Sequence, residues 1–196
     1  MDNKSRKDIK VTYEFPQLEP HTRLWQLILH IAQCSEGDPT FGKVKLAKIL
    51  YYADFTSYRD YGQPVTGASY KKLQFGPVPK DFLDILDEMK NSGEIYIRKE
   101  KAFPTATRDY DRVLAIHEAN LVQFSGRDIA LVDRLIRQFW NKSAGEISDQ
   151  SHGFAWHVVG NNEPIPYSAA LLSDEGITDE DIAQAQELIQ AYGWDV

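Results

Sequence analysis

The segment from residue 43 to residue 61 constrains the fold most, because it predicts a helix that is apolar on almost every side. At about 100° per residue, apolar side chains cover most of the circumference of this helix. They are Val44, Leu46, Ala47, Ile49, Leu50, Tyr51, Ala53, Phe55 and Tyr58. A helix of this kind lies inside its domain, so we expect the other elements to pack around it.

One narrow face of this helix interrupts the apolar surface. Lys45, Lys48 and Tyr52 lie on this face, followed by Thr56 and Arg59. Lysine ammonium groups prefer water, so we expect this face to remain uncovered by the rest of the domain. It is then either solvated or in contact with a partner.

Asp54 falls inside the apolar arc of the same helix. A buried carboxylate without a partner is costly. We expect Asp54 to bond a backbone group or a tyrosine hydroxyl, and a functional role is the alternative.

The elements after this helix predict a small β component. Residues 66–75 indicate a strand, and the following Gly76-Pro77-Val78-Pro79 predicts a rigid corner because two prolines fix its backbone. Another helix should follow from Pro79, with an apolar face at Phe82, Leu83, Ile85, Leu86 and Met89. Residues 94–100 and 112–117 predict the two strands of a wing-like ribbon.

Further helices are predicted from their N-terminal signals. A first helix should cover about 21–33. Capping-box pairs at Ser125 with Asp128 and Ser143 with Glu146 mark two more helices, and Thr178 with Asp181 marks the last. We therefore predict an α+β fold that is predominantly α-helical, with five to six helices around a buried central helix and a small antiparallel β element. Residues 1–20 should form a flexible or extended arm, and residues 21–196 a single domain.

Composition narrows the classes of function. The formal net charge of −7 disfavours a large nucleic-acid footprint, because phosphate binding requires clustered Lys and Arg. Cys34 is the only cysteine, which is typical of a reduced compartment. The first ten residues lack the apolar run of a signal peptide, and no segment is apolar enough to span a membrane. We predict a cytoplasmic protein without membrane contact.

Motifs for catalysis or cofactor binding are not found. His152 and His157 are five residues apart, which does not place both on one helix face as a metal pair. Cys34 is expected to be a packed apolar side chain and not a nucleophile. Walker, GxGxxG and GxSxG patterns are absent from the sequence. We predict no catalytic residue, no metal site and no cofactor.

A winged-helix DNA-binding regulator is one alternative, because helices precede the ribbon. Its recognition helix would then begin at Pro79 and read KDFLDILDE, with four acidic residues against Lys80. That charge is wrong for a DNA groove, so nucleic-acid binding is not favoured. An enzyme that uses Asp54 and His152 is the second alternative.

Four segments carry a family resemblance: KLAKILYYAD, YGQPVTG, SYKKLQFGPVP and ISDQSHGFAWHV. Together they resemble the Panacea domain, the SocA-like antitoxin family, whose members are often labelled phage-associated proteins. The resemblance implies a mostly helical domain that binds and neutralises a separately encoded toxin. It also implies that the partner is a protein, with a protease as a second partner if the chain acts as an adaptor. It supplies no catalytic residues.

Within this resemblance, two surfaces are candidate partner sites. One is the face of Lys45, Lys48 and Tyr52, and the other is the corner formed by Phe75 and the Gly-Pro-Val-Pro sequence at 76–79, whose alternative role is to set the entry of the next helix. Trp156 is a candidate interface anchor, and His152 is a candidate partner of Asp54. The oligomeric state is not predicted.

Overall fold

The computed structural model describes residues 11–101, 109–151 and 159–171. Within these ranges the helices are α1 (Pro20–Cys34), α2 (Lys43–Tyr61), α3 (Phe82–Asn91), α4 (Gly126–Phe139) and α5 (Ala144–Gln150), with short 3-10 helices at Pro16–Leu18 and Tyr167–Leu171. The strands are β1 (Tyr70–Leu73), β2 (Gly76–Pro79), β3 (Ile95–Lys101), β4 (Asp109–Ala115) and β5 (Pro164–Ile165). The predicted α+β class with small antiparallel sheets is confirmed. The helix predicted after Thr178 lies outside the described residues.

Helix α2 contacts most of the other described elements. It packs against α1, α4 and α5, against strands β2 and β4, and against the 3-10 helix Tyr167–Leu171. Leu46, Ile49, Leu50 and Ala53 are fully buried. The helix ends where Gly62 adopts a left-handed conformation and its N–H donates to the carbonyl of Tyr58. This packing holds side chains from both flanks of α2 in fixed positions.

Strands β1 and β2 form a tight hairpin on one flank of α2. Their antiparallel register runs from Tyr70 opposite Pro79 to Leu73 opposite Gly76, and β5 pairs with the other side of β1. The prediction of a corner at 76–79 is wrong, because these residues form an edge strand. Edge strands tolerate proline, since one side of the strand needs no N–H donors. Strand β5 was not among the predicted strands.

The ribbon of β3 and β4 is confirmed. Seven residue pairs form its ladder, from Ile95 opposite Ala115 to Lys101 opposite Asp109. It follows α3 directly, where Gly93 is left-handed and the N–H of Glu94 donates to the carbonyl of Met89.

Two of the predicted capping boxes are present. The hydroxyl of Ser125 accepts from the N–H of Asp128, and the carboxylate of Asp128 accepts from the N–H of Ser125. Ser143 and Glu146 form the same reciprocal pair at the start of α5. Each box satisfies amide groups that a helix start leaves without partners.

Helix α3 departs from its prediction in two ways. It begins at Phe82 and not at Pro79, because Pro79 is held in β2. Leu83 was expected to be buried but is 58% exposed. An exposed leucine beside the hairpin contributes to the surface described below.

The described part of the predicted N-terminal arm contacts the domain. The N–H of Phe15 donates to the carbonyl of Gly67, and the Phe15 ring packs edge-on against Tyr167. The division into arm and domain stays a prediction. None of the helices in the described part of the chain has the length and apolarity needed to cross a membrane.

Candidate functional site

A groove of about 370 Å³ lies between α2, the β1–β2 hairpin and the start of α3. Its apolar lining comes from Val44, Ala47, Phe75, Val78, Phe82 and Leu83. Among these, Phe75 and Leu83 are 63% and 58% exposed, although both are large apolar side chains. Exposed apolar side chains that converge on a concavity are typical of binding surfaces. We refer to this surface as the hairpin groove.

Lys48 lies in the wall of the hairpin groove, and its side chain is almost fully buried. Its ammonium donates to the carbonyl oxygen of Pro77 at 2.8 Å. Within the described residues no carboxylate pairs with it. Burial lowers the pKa of Lys48 from 10.5 to about 7. The group is thus poised between its charged and neutral forms near neutral pH.

Further lysines give the hairpin groove a positive rim. Lys71 lies on β1 and Lys80 follows β2, and neither has a carboxylate partner in the described ranges. Lys43 also lines the groove, but its ammonium pairs with Asp111. Asp84 is the acidic lining residue. In a chain with a net charge of −7, this concentration of lysine makes the groove locally basic.

Lys45 does not lie on an open face, in contrast to the expectation from the sequence. Its side chain is about 1% exposed, and its ammonium forms a buried ion pair with Asp38 at 2.6 Å. The same ammonium donates to the hydroxyl of Thr40 and to the carbonyl of Phe139. The expectation failed for Lys48 as well, because both lysines find acceptors inside the domain. Periodicity alone cannot indicate such acceptors.

The other predicted partner residues are placed differently from one another. Tyr52 is half-buried, with its ring 5.3 Å from the ring of Phe139. In β2, Gly76, Pro77 and Pro79 are buried and Val78 is half-buried, so Phe75 is the exposed part of this segment. The structure brings Lys48 and residues 75–79 together, and it places Lys45 and Tyr52 toward α4. Trp156 lies outside the described residues, and so do His152 and His157.

Asp54 is at the centre of a buried polar cluster. Its carboxylate accepts hydrogen bonds from the N–H and the hydroxyl of Thr66, from the Tyr70 hydroxyl at 2.8 Å and from the Tyr167 hydroxyl at 3.3 Å. Burial raises the pKa of the carboxyl, and these donors oppose the rise. The bonds to backbone and tyrosine are those predicted. The enzyme hypothesis needed Asp54 in an open pocket, and its full burial removes that support.

The described residues also contain one group of potential metal ligands. His30 and Cys34 lie one turn apart on α1, and Asp133 lies on α4, with ligand atoms within 4.8 Å of one another. The ring of His30 bonds Asp133 at 2.8 Å, which explains the arrangement as a contact between helices. Cys34 is exposed, not packed as expected. Partial desolvation of the sulfur and the nearby Asp133 still raise the pKa of its thiol, which disfavours the nucleophilic thiolate.

Comparison with known families identifies the class of protein. The family described as antitoxin SocA-like, Panacea domain matches residues 46–157, which is more than half of the chain. The chain therefore belongs to this family, as its sequence segments indicate. The matched range contains most of α2, the whole β1–β2 hairpin and α3, so it includes most of the hairpin groove. No curated protein and no solved structure matches the chain.

Sequence reasoning found part of the hairpin groove and missed the rest. Lys48 and residues 75–79 were identified, but Lys71, Lys80 and Leu83 were not. Lys71 pairs with Val78 across the hairpin, so both lie on one surface. The sequence signal for this hairpin is the short segment between its two strands. It was not used because two prolines argued against a second strand.

Proposed function

We propose that this protein is an antitoxin that binds and neutralises a separately encoded toxin protein in the cytoplasm. Membership of the SocA-like family is the observation that carries the proposal. The hairpin groove supports it, because an exposed apolar surface with a charged rim is suited to a protein partner. The proposed role is binding and not catalysis.

The groove is the surface through which we expect the toxin to dock. Phe75 and Leu83 supply exposed apolar area, and the two prolines of β2 hold the hairpin in one conformation. A rigid surface loses little conformational entropy on binding, so more of the contact energy appears as affinity. The buried polar cluster around Asp54 then has a structural role, because it bonds Tyr70 on β1 of the groove. The ion pair of Lys45 has a structural role on the α4 side of α2.

Neutralisation can follow from a direct block of the toxin or from delivery of the toxin to a protease. A direct block leaves the amount of toxin in the cell unchanged, whereas delivery lowers it and requires the protease. Immunoblots of the toxin in strains with and without the antitoxin separate these two routes.

Co-expression tests the proposal. Each gene next to the gene for this chain is expressed alone and together with the chain, and growth is measured. We expect one neighbour to arrest growth alone, to be tolerated with the chain, and to co-purify with it. If no neighbour is toxic and rescued, the antitoxin proposal fails.

A further inference from the structure

We propose that the hairpin groove recognises an acidic, apolar segment of the toxin, whose apolar side chains fill the groove while its carboxylates pair with Lys71 and Lys80. This inference rests on the proposed antitoxin function and adds the chemistry of the partner. It uses two independent features of the groove, its exposed apolar lining and its positive rim.

The apolar surface of the hairpin groove consists of side chains that the fold leaves exposed. Phe75 at the hairpin tip, Leu83 on α3 and Val44 on α2 belong to three elements, and they are 63%, 58% and 37% exposed. Ala47 and Phe82 are buried beneath them and close the floor. Covering such a surface with an apolar segment removes apolar area from water, which favours association.

The positive charge of the hairpin groove comes mainly from Lys71 and Lys80. These two lysines have no carboxylate partner in the described part of the chain, so an incoming acidic group displaces no ion pair within those residues. The amine of Lys48 also lies in the wall, held at the carbonyl of Pro77, and carries only part of a charge near neutral pH because burial lowers its pKa to about 7. Complementary charge speeds association and selects partners, and its effect weakens with salt.

The chain itself contains an acidic segment that could compete with the toxin for the hairpin groove. Residues 172–196 contain seven acidic residues and no lysine or arginine. The formal charge of this segment is therefore −7, the same as that of the whole chain. The proposal assigns the groove to the toxin. A groove closed by residues 172–196 would contradict it.

The first experiment tests the chemistry of the groove with small probes on the full chain. Octanoate carries a carboxylate on an apolar tail, and octylamine is its cationic counterpart. We expect octanoate to shift backbone amide resonances of residues 43–48 and 70–84, and we expect octylamine to bind at least about tenfold more weakly. Equal binding of both probes, or no shift with octanoate, overturns the proposal. The absence of a shift with octanoate is also expected if residues 172–196 already occupy the groove.

The second experiment uses the toxin found by co-expression. The double variant Lys71→Glu/Lys80→Glu reverses the rim, and Leu83→Ser removes apolar area. The matched control Lys90→Glu/Lys101→Glu makes the same charge change at exposed positions outside the groove. We expect the rim variant to bind the toxin at least about tenfold more weakly and to lose growth rescue, whereas the control resembles the wild type.

The outcomes separate the two proposals. If the wild type rescues growth and the rim and Leu83 variants rescue equally well, the toxin docks elsewhere and the inference about the groove is overturned, while the antitoxin function stands. If the wild type itself fails to rescue any neighbour, the antitoxin function fails, and the toxin as occupant fails with it. Circular dichroism of each variant shows that a loss of rescue does not reflect unfolding.

Discussion

The ammonium of Lys48 lies 2.8 Å from the carbonyl oxygen of Pro77 and ties α2 to the edge strand β2. Lys48 is about 1% exposed, and among the described residues it has no acidic partner. A buried cation with one carbonyl acceptor is costly for the folded state. Such a cost is understandable if the lysine contributes to binding, and Lys48 lines the hairpin groove.

Replacing Lys48 by methionine should stabilise the protein. Methionine matches the length of the lysine stem and removes the burial cost of the ammonium. We expect the free energy of unfolding in urea to rise by about 1 to 3 kcal/mol at neutral pH.

The pH dependence of this effect has a defined sign. The pKa of Lys48 is lowered from 10.5 to about 7 in the folded state. Between these two values the unfolded chain binds more protons, so the stability of the wild type rises with pH. The advantage of Lys48→Met should therefore fall by more than half from about pH 7 to about pH 10. A constant advantage would show that Lys48 is not the titrating group, and Lys90→Met serves as the exposed control.

The pair of Lys45 and Asp38 should show strong coupling in a double-mutant cycle. Each single change, Lys45→Met or Asp38→Asn, leaves the other partner buried without its counter-charge, at a cost of about 3 to 5 kcal/mol. The double variant should be more stable than the sum of the single costs implies, by about 2 kcal/mol. Additive costs in urea denaturation would contradict a direct interaction.

The same pair predicts sensitivity to acid. Burial raises the pKa of Asp38, but hydrogen bonds from Lys45 and Thr40 outweigh that effect and hold the pKa below its usual 3.8. The stabilisation by Asp38 is thus complete above about pH 4 and is lost as the pH falls through the folded-state pKa. In Asp38→Asn this contribution to the acid unfolding curve should be missing.

Asp54→Asn should destabilise the domain, because the change lies in a fully buried polar cluster. The amide nitrogen of asparagine cannot accept a hydrogen bond from the hydroxyls of Thr66 or Tyr70, so two buried donors lose their acceptor. The hydroxyl of Tyr167 keeps the carbonyl of Ala68 as its acceptor. We expect a loss of about 2 to 4 kcal/mol, measured by urea denaturation. The exposed change Asp87→Asn is the control and should stay within about 0.5 kcal/mol. An unchanged stability of Asp54→Asn would contradict the structural role.

Sequence signals predicted well the elements that are determined by interactions between residues close together in the chain. The apolar pattern of residues 43–61 predicted both ends of α2. The capping boxes at Ser125 and Ser143 mark the starts of α4 and α5. The burial of Asp54 followed from its place in the apolar arc. For α2 and for the starts of α4 and α5, residues within one or two turns decide the outcome.

Two predictions failed because they depended on distant partners: the exposure of the lysines on α2 and the corner at 76–79. Lys45 and Lys48 were expected at the surface because lysine usually prefers water, but Asp38, Phe139 and Pro77 supply acceptors from other elements. The strand at 76–79 was missed because its prolines are tolerated only at the edge of a sheet, which is a property of the assembled fold. The rim of the groove depends on that strand, so it could not be placed either.

Hydrogen–deuterium exchange of the full chain, alone and with the rescued toxin, tests the docking of toxin in the hairpin groove most directly. Exchange is followed in peptides that cover residues 43–48 and 70–84, with the ribbon of β3 and β4 as the internal reference. We predict that toxin slows exchange in the groove peptides and leaves the ribbon unchanged. Protection confined to other parts of the chain would contradict docking in the hairpin groove.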